Sequence, residues 1–201
     1  MPQISERREE ILEKIVDALL TDGVAHLSLR PLAEAAGTSA RLLIYHFETK
    51  EKMLRCALAI VRARVQASLR EEAARGLPAT PQAVLLMFWE WATDDVNQRY
   101  FRLLFEVDGL SMHKKPGFSK EFHDAGTPVW LQMIDQSAKN LPAHSNAEGR
   151  STLIMAAMNG LMQDLFTTGD RARAEAGLRY LIDMVMSEAP ASSNKRLAKQ
   201  K

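Results

Sequence analysis

The sequence predicts an all-α chain of about nine helices, with an N-terminal three-helix helix-turn-helix domain followed by a larger helical domain. Three observations predict this. Leu, Ala, Met, Glu and Arg abound while Gly and Pro are scarce, which favours helix. Apolar residues recur at the helical period along most of the chain, and no stretch alternates with period two between turn signals, so no sheet is expected. With 201 residues the chain can bury a sizeable core. Cys56 is the only cysteine, which excludes an intrachain disulfide and suits a reducing cytosol. The start MPQISERREEILEK mixes acids with bases and has no apolar core, unlike a signal peptide. The apolar run Val84 to Trp89 is too short for a bilayer, and the net charge of +1 points to no class of partner. A cytoplasmic protein without a membrane partner is expected.

The first helix is read from Ile11, Leu12, Ile15, Val16, Leu19 and Leu20, and spans about Ser5 to Leu20 before Gly23 stops it. Ser28 can cap a second helix carrying Leu29, Leu32, Ala33 and Ala36, and Pro31 falls in its first turn, where a missing N–H is tolerated. Gly37 ends that helix as a left-handed residue. Thr38 or Ser39 can cap a third helix that runs to about His46. The stretch ETKEKML opens a fourth, continued by Leu54, Leu58, Val61, Val65 and Leu69 as far as the linker RGLPATP. Five more helices are predicted at roughly 81–97, 98–111, 118–140, 147–168 and 171–187. The tail 189–201 is basic, lacks apolar periodicity and is expected to be disordered.

Two short helices joined at Gly37 can be a simple corner of a helical core, as in an interaction or adaptor protein. The side chains argue for more. Leu43 and Phe47 lie at i and i+4 and can anchor the third helix inward. Ser39, Ala40, Arg41, Leu42, Ile44 and Tyr45 must then share the outer and flanking faces. Apolar side chains can read a thymine methyl and arginine can read guanine, so such a face suits the DNA major groove.

The segment SLRPLAEAAGTSARLLIYHFETKEKML, Ser28 to Leu54, resembles the DNA-binding segment of tetracycline-repressor (TetR) family regulators. The resemblance rests on Ala36-Gly37, on Tyr45-His46-Phe47 and on Lys50-Glu51, and covers roughly the first quarter of the chain. It implies that Arg30 touches a base or the backbone. Ser39, Ala40, Arg41 and Leu42 would face base edges, while Tyr45, His46 and Lys50 would hold phosphates. Arg41 stands where the family often has Gly or Pro, Leu42 where Thr is usual, and Ile44 where Tyr is usual. Residues 1–54 are thus expected to form the DNA-binding domain, with the helix-turn-helix at about 28–47. Their acids outnumber their bases, and Glu6, Glu9, Glu10, Glu13 and Asp17 all fall on the first helix, which can face away from DNA.

Residues 55–188 are expected to bind a ligand and to dimerise. The helix from 81 is apolar nearly all round and should be central. Met87, Trp91, Phe105, Trp130, Met133, Met158 and Met162 could line a pocket beside it, although each also suits an ordinary core. Glu90, Asp94, Glu106 and Asp108 are the acids nearest that set, and one turned inward would favour a cationic or hydroxyl-bearing ligand. Ala157, Leu161, Leu165, Leu178, Leu181, Ile182 and Val185 are the candidate dimer contacts. Family resemblance implies that they meet a twin in a four-helix bundle, and an intrachain core explains the same pattern. No nucleophile elbow, metal spacing, Walker loop or dinucleotide loop occurs, so no enzyme, metal or cofactor is expected. The expected function is a ligand-responsive regulator, in the repressor role, that binds a palindromic DNA operator as a homodimer and is released by a small-molecule effector.

Overall fold

The computed structural model describes residues 2–24, 28–76, 78, 80–113 and 147–187. They hold α1 (Pro2–Asp22), α2 (Leu29–Ala35), α3 (Ala40–Phe47), α4 (Lys50–Ala74), α5 (Pro81–Thr93), α6 (Asp95–Met112), α7 (Ala147–Thr168) and α8 (Arg171–Ser187). No strand occurs among the described residues. The helix expected at 118–140, with Trp130 and Met133, and the tail 189–201 lie outside them.

Two compact units divide these helices. The first takes α1–α4, the end of α5 from Trp91, and α6; the second takes α5 as far as Glu90, with α7 and α8. In the first unit, Ile11, Ile15, Val16 and Leu19 of α1 are fully buried. They share one core with Leu32 and Ala36 of α2, Leu43 and Phe47 of α3, and Met53, Leu54, Ala57, Leu58 and Val61 of α4. Leu103 and Val107 of α6 enter the same core. The α4 stripe extends through Val65 and Leu69, both buried, as its spacing predicts.

One expected cap bond and one expected boundary differ, each for a local reason. Ser28 stands at the N-cap of α2 in extended conformation, yet its side chain makes no cap hydrogen bond. A cap oxygen seeks the N–H of the second or third helical residue, and the third is Pro31, which has none. The second difference is the break between α5 and α6, which falls at Asp94 rather than near residue 97. The Asp94 carboxylate accepts the Val96 N–H at 2.8 Å and starts α6 there. Asn97, buried just beyond, donates to the Trp91 carbonyl at 2.9 Å and ties the two helices together. Helix α5 is also less enclosed than its composition predicts: Trp89 is fully buried, but Leu86 is exposed.

In the second unit α7 and α8 pack antiparallel across the Thr168–Gly169–Asp170 turn. Arg173 donates to the Asp164 carboxylate at 2.6 Å. A Cβ at Gly177 would stand 2.6 Å from Leu161 Cδ2, so Leu161 lies directly against α8.

Glu106 of α6 secures the end of α1. Gly23 closes α1 with φ +74°, and the next N–H, of Val24, donates to Glu106 Oε2 at 2.8 Å. A Cβ on Gly23 would fall 2.5 Å from that oxygen, whereas one on Gly37 (φ +62°) would meet only Lys14 Nζ, at 3.7 Å. Gly37→Ala should therefore cost only the left-handed backbone penalty, about 1–2 kcal/mol. Gly23→Ala should cost more, because it also pushes the carboxylate off the Val24 N–H. Urea unfolding of the two variants tests this, and equal losses would show that the Glu106 contact contributes nothing.

Candidate nucleic-acid interface

The turn between α2 and α3 uses two backbone hydrogen bonds to close one helix and free the next. Gly37 N–H donates to Glu34 O at 3.0 Å and Thr38 N–H to Ala33 O at 2.9 Å. Ala36 is the C-cap, so this pairing is a Schellman closure, and it needs the positive φ of Gly37. Ser39, not Thr38, then caps α3, its hydroxyl accepting the Leu42 N–H at 3.2 Å. Leu43 and Phe47 point into the core. The guanidinium of Arg8, on α1, lies 4.9 Å from the Phe47 ring centroid and donates to Cys56 Sγ at 3.6 Å, which pins the helix from behind.

That anchoring determines what faces outward. Arg41 is exposed and makes no hydrogen bond or ion pair among the described residues. Leu42 is 37% exposed, Ile44 38% and Tyr45 69%. Ser39 is exposed at the N-cap, whereas Ala40 is half-buried against the core and offers little surface to a ligand. His46 is half-buried, edge-on to Tyr45 with ring centroids 5.3 Å apart. On α2 the exposed Arg30 pairs with Glu34 at 3.0 Å. Lys50 opens α4, where the Thr49 hydroxyl accepts the Lys52 N–H at 3.1 Å and so caps the helix. The acids Glu6, Glu9, Glu10 and Glu13 of α1 line a shallow groove with Leu12 and with Ile60 of α4, a groove to which α3 contributes no residue. A short helix held by its apolar face, with its first turn free and a bare cation on it, matches the geometry of a recognition helix.

Residues 11–56 match the family described as bacterial regulatory proteins, tetR family. That match takes in the end of α1, all of α2 and α3, and the start of α4. It is 26% identical over 134 residues to the HTH-type transcriptional regulator PksA of Bacillus subtilis, a match spanning 65% of this chain and 65% of PksA. Among solved structures it resembles a transcriptional regulator from Rhodococcus sp. Rha1, with TM-score 0.72 and 21% identity, covering 89% of this chain and 95% of that one. It also resembles a TetR-family regulator from Cytophaga hutchinsonii, with TM-score 0.75 and 17% identity, covering 92% and 96%. At such identities these two likenesses show the fold. Together with the match over residues 11–56, they give the chain the fold of these regulators, with a helix-turn-helix at α2 and α3.

The other candidate residues are placed as follows. Trp91 and Phe105 belong to the first unit, Met87, Met158 and Met162 to the second. Met158 and Met162 are buried, which suits a core. Trp91 Nε1 donates to Ser68 Oγ at 3.1 Å, and its ring stands edge-on to Phe101 at 5.7 Å. The four acids considered for a pocket are engaged elsewhere: Glu90 faces Arg171 at 3.8 Å, Asp94 caps α6, Glu106 holds Val24, and Asp108 acts on the half-buried Arg62. Burial lowers the Arg62 pKa, and the Asp108 charge opposes that effect. Leu178, Leu181, Ile182 and Val185 are buried within the chain itself. They therefore form intrachain core rather than a free face. Arg8 and Glu106 position the helix-turn-helix without any local sequence signal, since each acts across a long stretch of chain.

One strained residue joins α3 to α4. Glu48 is the only non-glycine residue with positive φ (66°) among the described residues. The Thr49 N–H donates to Phe47 O across it at 2.8 Å, making a γ-turn of the strained hand. Non-glycine residues in such conformations cost about 1–3 kcal/mol. Its carboxylate pairs with Lys52, and that hydrogen bond and charge lower the Glu48 pKa. Glu48→Gly should raise the urea midpoint near neutral pH, because relief of backbone strain outweighs an exposed ion pair. The ion pair is fully present above the unfolded-state pKa of Glu48 and is lost as pH falls through the lowered folded-state value. The advantage of the glycine variant should thus grow on acidification. A midpoint that falls at neutral pH would refute the strain assignment.

Proposed function

We propose that the chain is a tetR-family regulator, a ligand-responsive repressor that binds a palindromic operator as a homodimer and is released by a small-molecule effector. The observation that carries the DNA half of this reading is Arg41, exposed on the first turn of the recognition helix with no acid partner among the described residues. In this reading residues 1–54 bind DNA. Arg41 and Leu42 approach base edges with Ser39 beside them, and Ala40 permits close approach rather than making contact. Tyr45, His46 and Lys50 hold phosphates, helped by the free N–H groups at the start of α4, and Arg30 swings from Glu34 to the DNA backbone. The protein works in the cytoplasm without catalysis, metal or cofactor. No helix among the described residues is long and apolar enough to cross a membrane.

Residues 55–188 take the effector and the dimer contact. The dimer face is assigned to apolar side chains that α7 and α8 leave outside, among them Leu153, Tyr180, Met184 and Met186. The antiparallel pairing brings Leu153 level with Met184, and the small, exposed Ala156 and Gly160 continue that face. Leu161, Leu165 and Ala157 are half-buried and border it. The effector acts through α6. Phe105 precedes Glu106, so a ligand pressing on Phe105 would shift the carboxylate that holds Val24 and the buried Leu103 and Val107. Half-sites lie about one DNA turn apart or a multiple of it, so a displacement of a few ångströms in either head breaks simultaneous docking.

Arg41→Ala should weaken binding to a specific operator by about 1–3 kcal/mol and to random DNA much less. Gel shift on both DNAs measures this, and equal losses would reduce Arg41 to a phosphate contact. Light scattering of the wild type should give a dimer at micromolar concentration, and Tyr180→Glu should give a folded monomer. A wild-type monomer would overturn the dimer assignment. Leu178→Glu tests folding instead, because it buries a charge in the intrachain core.

A further inference from the structure

We propose that Leu42 reads the 5-methyl group of a thymine in the base pair next to a guanine read by Arg41, so the half-site is recognised through one methyl and one guanidinium on adjacent steps. This rests on the DNA-binding reading above and adds the chemistry of the operator.

The argument starts from what α3 lacks. Its sequence, ARLLIYHF, contains no Asn or Gln to grip adenine at N6 and N7, and no Asp or Glu to accept from cytosine N4. Leu43 and Phe47 are committed to the core, and Ala40 is half-buried. Only Arg41 and Leu42 remain on the first turn. Arginine suits guanine O6 and N7, and the one feature of a major-groove edge that an aliphatic chain can read is the thymine methyl.

Position supports the pairing. Both the hydroxyl and the carbonyl of Ser39 accept the Leu42 N–H, at 3.2 and 3.0 Å, so the backbone of this turn is fixed before any ligand arrives. Adjacent residues of a helix project about 100° apart around its axis, so Arg41 and Leu42 diverge towards separate base pairs rather than converging on one. Charge favours a duplex over a protein partner for this face. Arg41 beside Leu42 and Lys50 at the start of α4 have no acid partner among the described residues, which complements phosphates.

The test uses the full-length protein and duplexes selected by it from a random library. In the selected duplex each thymine is replaced singly by deoxyuridine, which removes only the methyl. One substitution, beside a guanine, should weaken wild-type binding about fourfold, the effect of one buried methyl-sized group. Leu42→Ala should bind the thymine and deoxyuridine duplexes equally, with an unchanged unfolding midpoint. Replacing the neighbouring guanine by 7-deazaguanine should weaken the wild type but not Arg41→Ala. If no single deoxyuridine lowers affinity by more than twofold, or if Leu42→Ala still discriminates, the proposal is wrong while sequence-specific DNA binding stands. If the library yields no preferred sequence, the regulator reading fails and this inference fails with it.

Discussion

The reading head depends on the burial of Leu43 and Phe47. Two side chains one helical turn apart fix both the rotation and the depth of α3, and every outward position on it follows from them. Burying two such chains stabilises the unit by about 1.5–3 kcal/mol each. An eight-residue helix has little stability of its own in water. It therefore exists only because α2 and α4 pack against it, with Arg8 of α1 laid across the Phe47 ring. The surface proposed to meet DNA is thus a by-product of core packing, and a defect in that core would move Arg41 and Leu42 as surely as a change at the face.

This explains why so much was legible in the sequence. Periodicity places Leu43 and Phe47 inward, and Gly37 marks the turn, because both signals are local and both arise from strong steric or hydrophobic terms. The buried stripe of α4 was readable for the same reason. Ser28 shows where local reading fails: the cap residue is right, but the partner it needs is removed by a proline three positions on. Asp94 fails differently: the apolar run ends at Ala92, and the polar stretch TDDVNQR offers Thr93, Asp94, Asp95 and Asn97 as rival caps, of which Asp94 is the one used. Leu178 and Ile182 illustrate the deepest ambiguity. An apolar stripe looks the same whether it meets its own chain or a twin, and only exposure separates Tyr180 and Met184 from them.

The distribution of charge resolves what composition alone could not. The first helix is acidic, which argues against a nucleic-acid binder if charge is summed. In the fold its acids gather beside Ile60, and Glu13 is paired with Arg64 of α4. Arg30 and Lys52 are each held by a carboxylate four residues away. What remains uncompensated on the helix-turn-helix is sparse: Arg41, and Lys50 at the next helix start. Such a surface has weak attraction for arbitrary phosphates. More of its binding must then come from base edges, which favours selectivity over raw affinity.

The same core also decides how a signal can reach that surface. Leu103 and Val107 of α6 lie in the cluster that seats α3, and Glu106 between them holds the first backbone N–H after Gly23. A helix with two buried apolar contacts and one charged hydrogen bond in the head shares a close-packed interior with α1 and α4, and such cores transmit displacement rather than absorb it. On the effector reading proposed above, a ligand in contact with α6 would act on the reading head, and by linkage DNA would change that ligand's affinity by the same factor. The size of the coupling is limited by what the contact is worth. A hydrogen bond to a carboxylate contributes about 1.5–3 kcal/mol, which corresponds to a change in affinity of roughly ten- to 150-fold. That range is sufficient for a switch, and it requires no contact between effector and DNA.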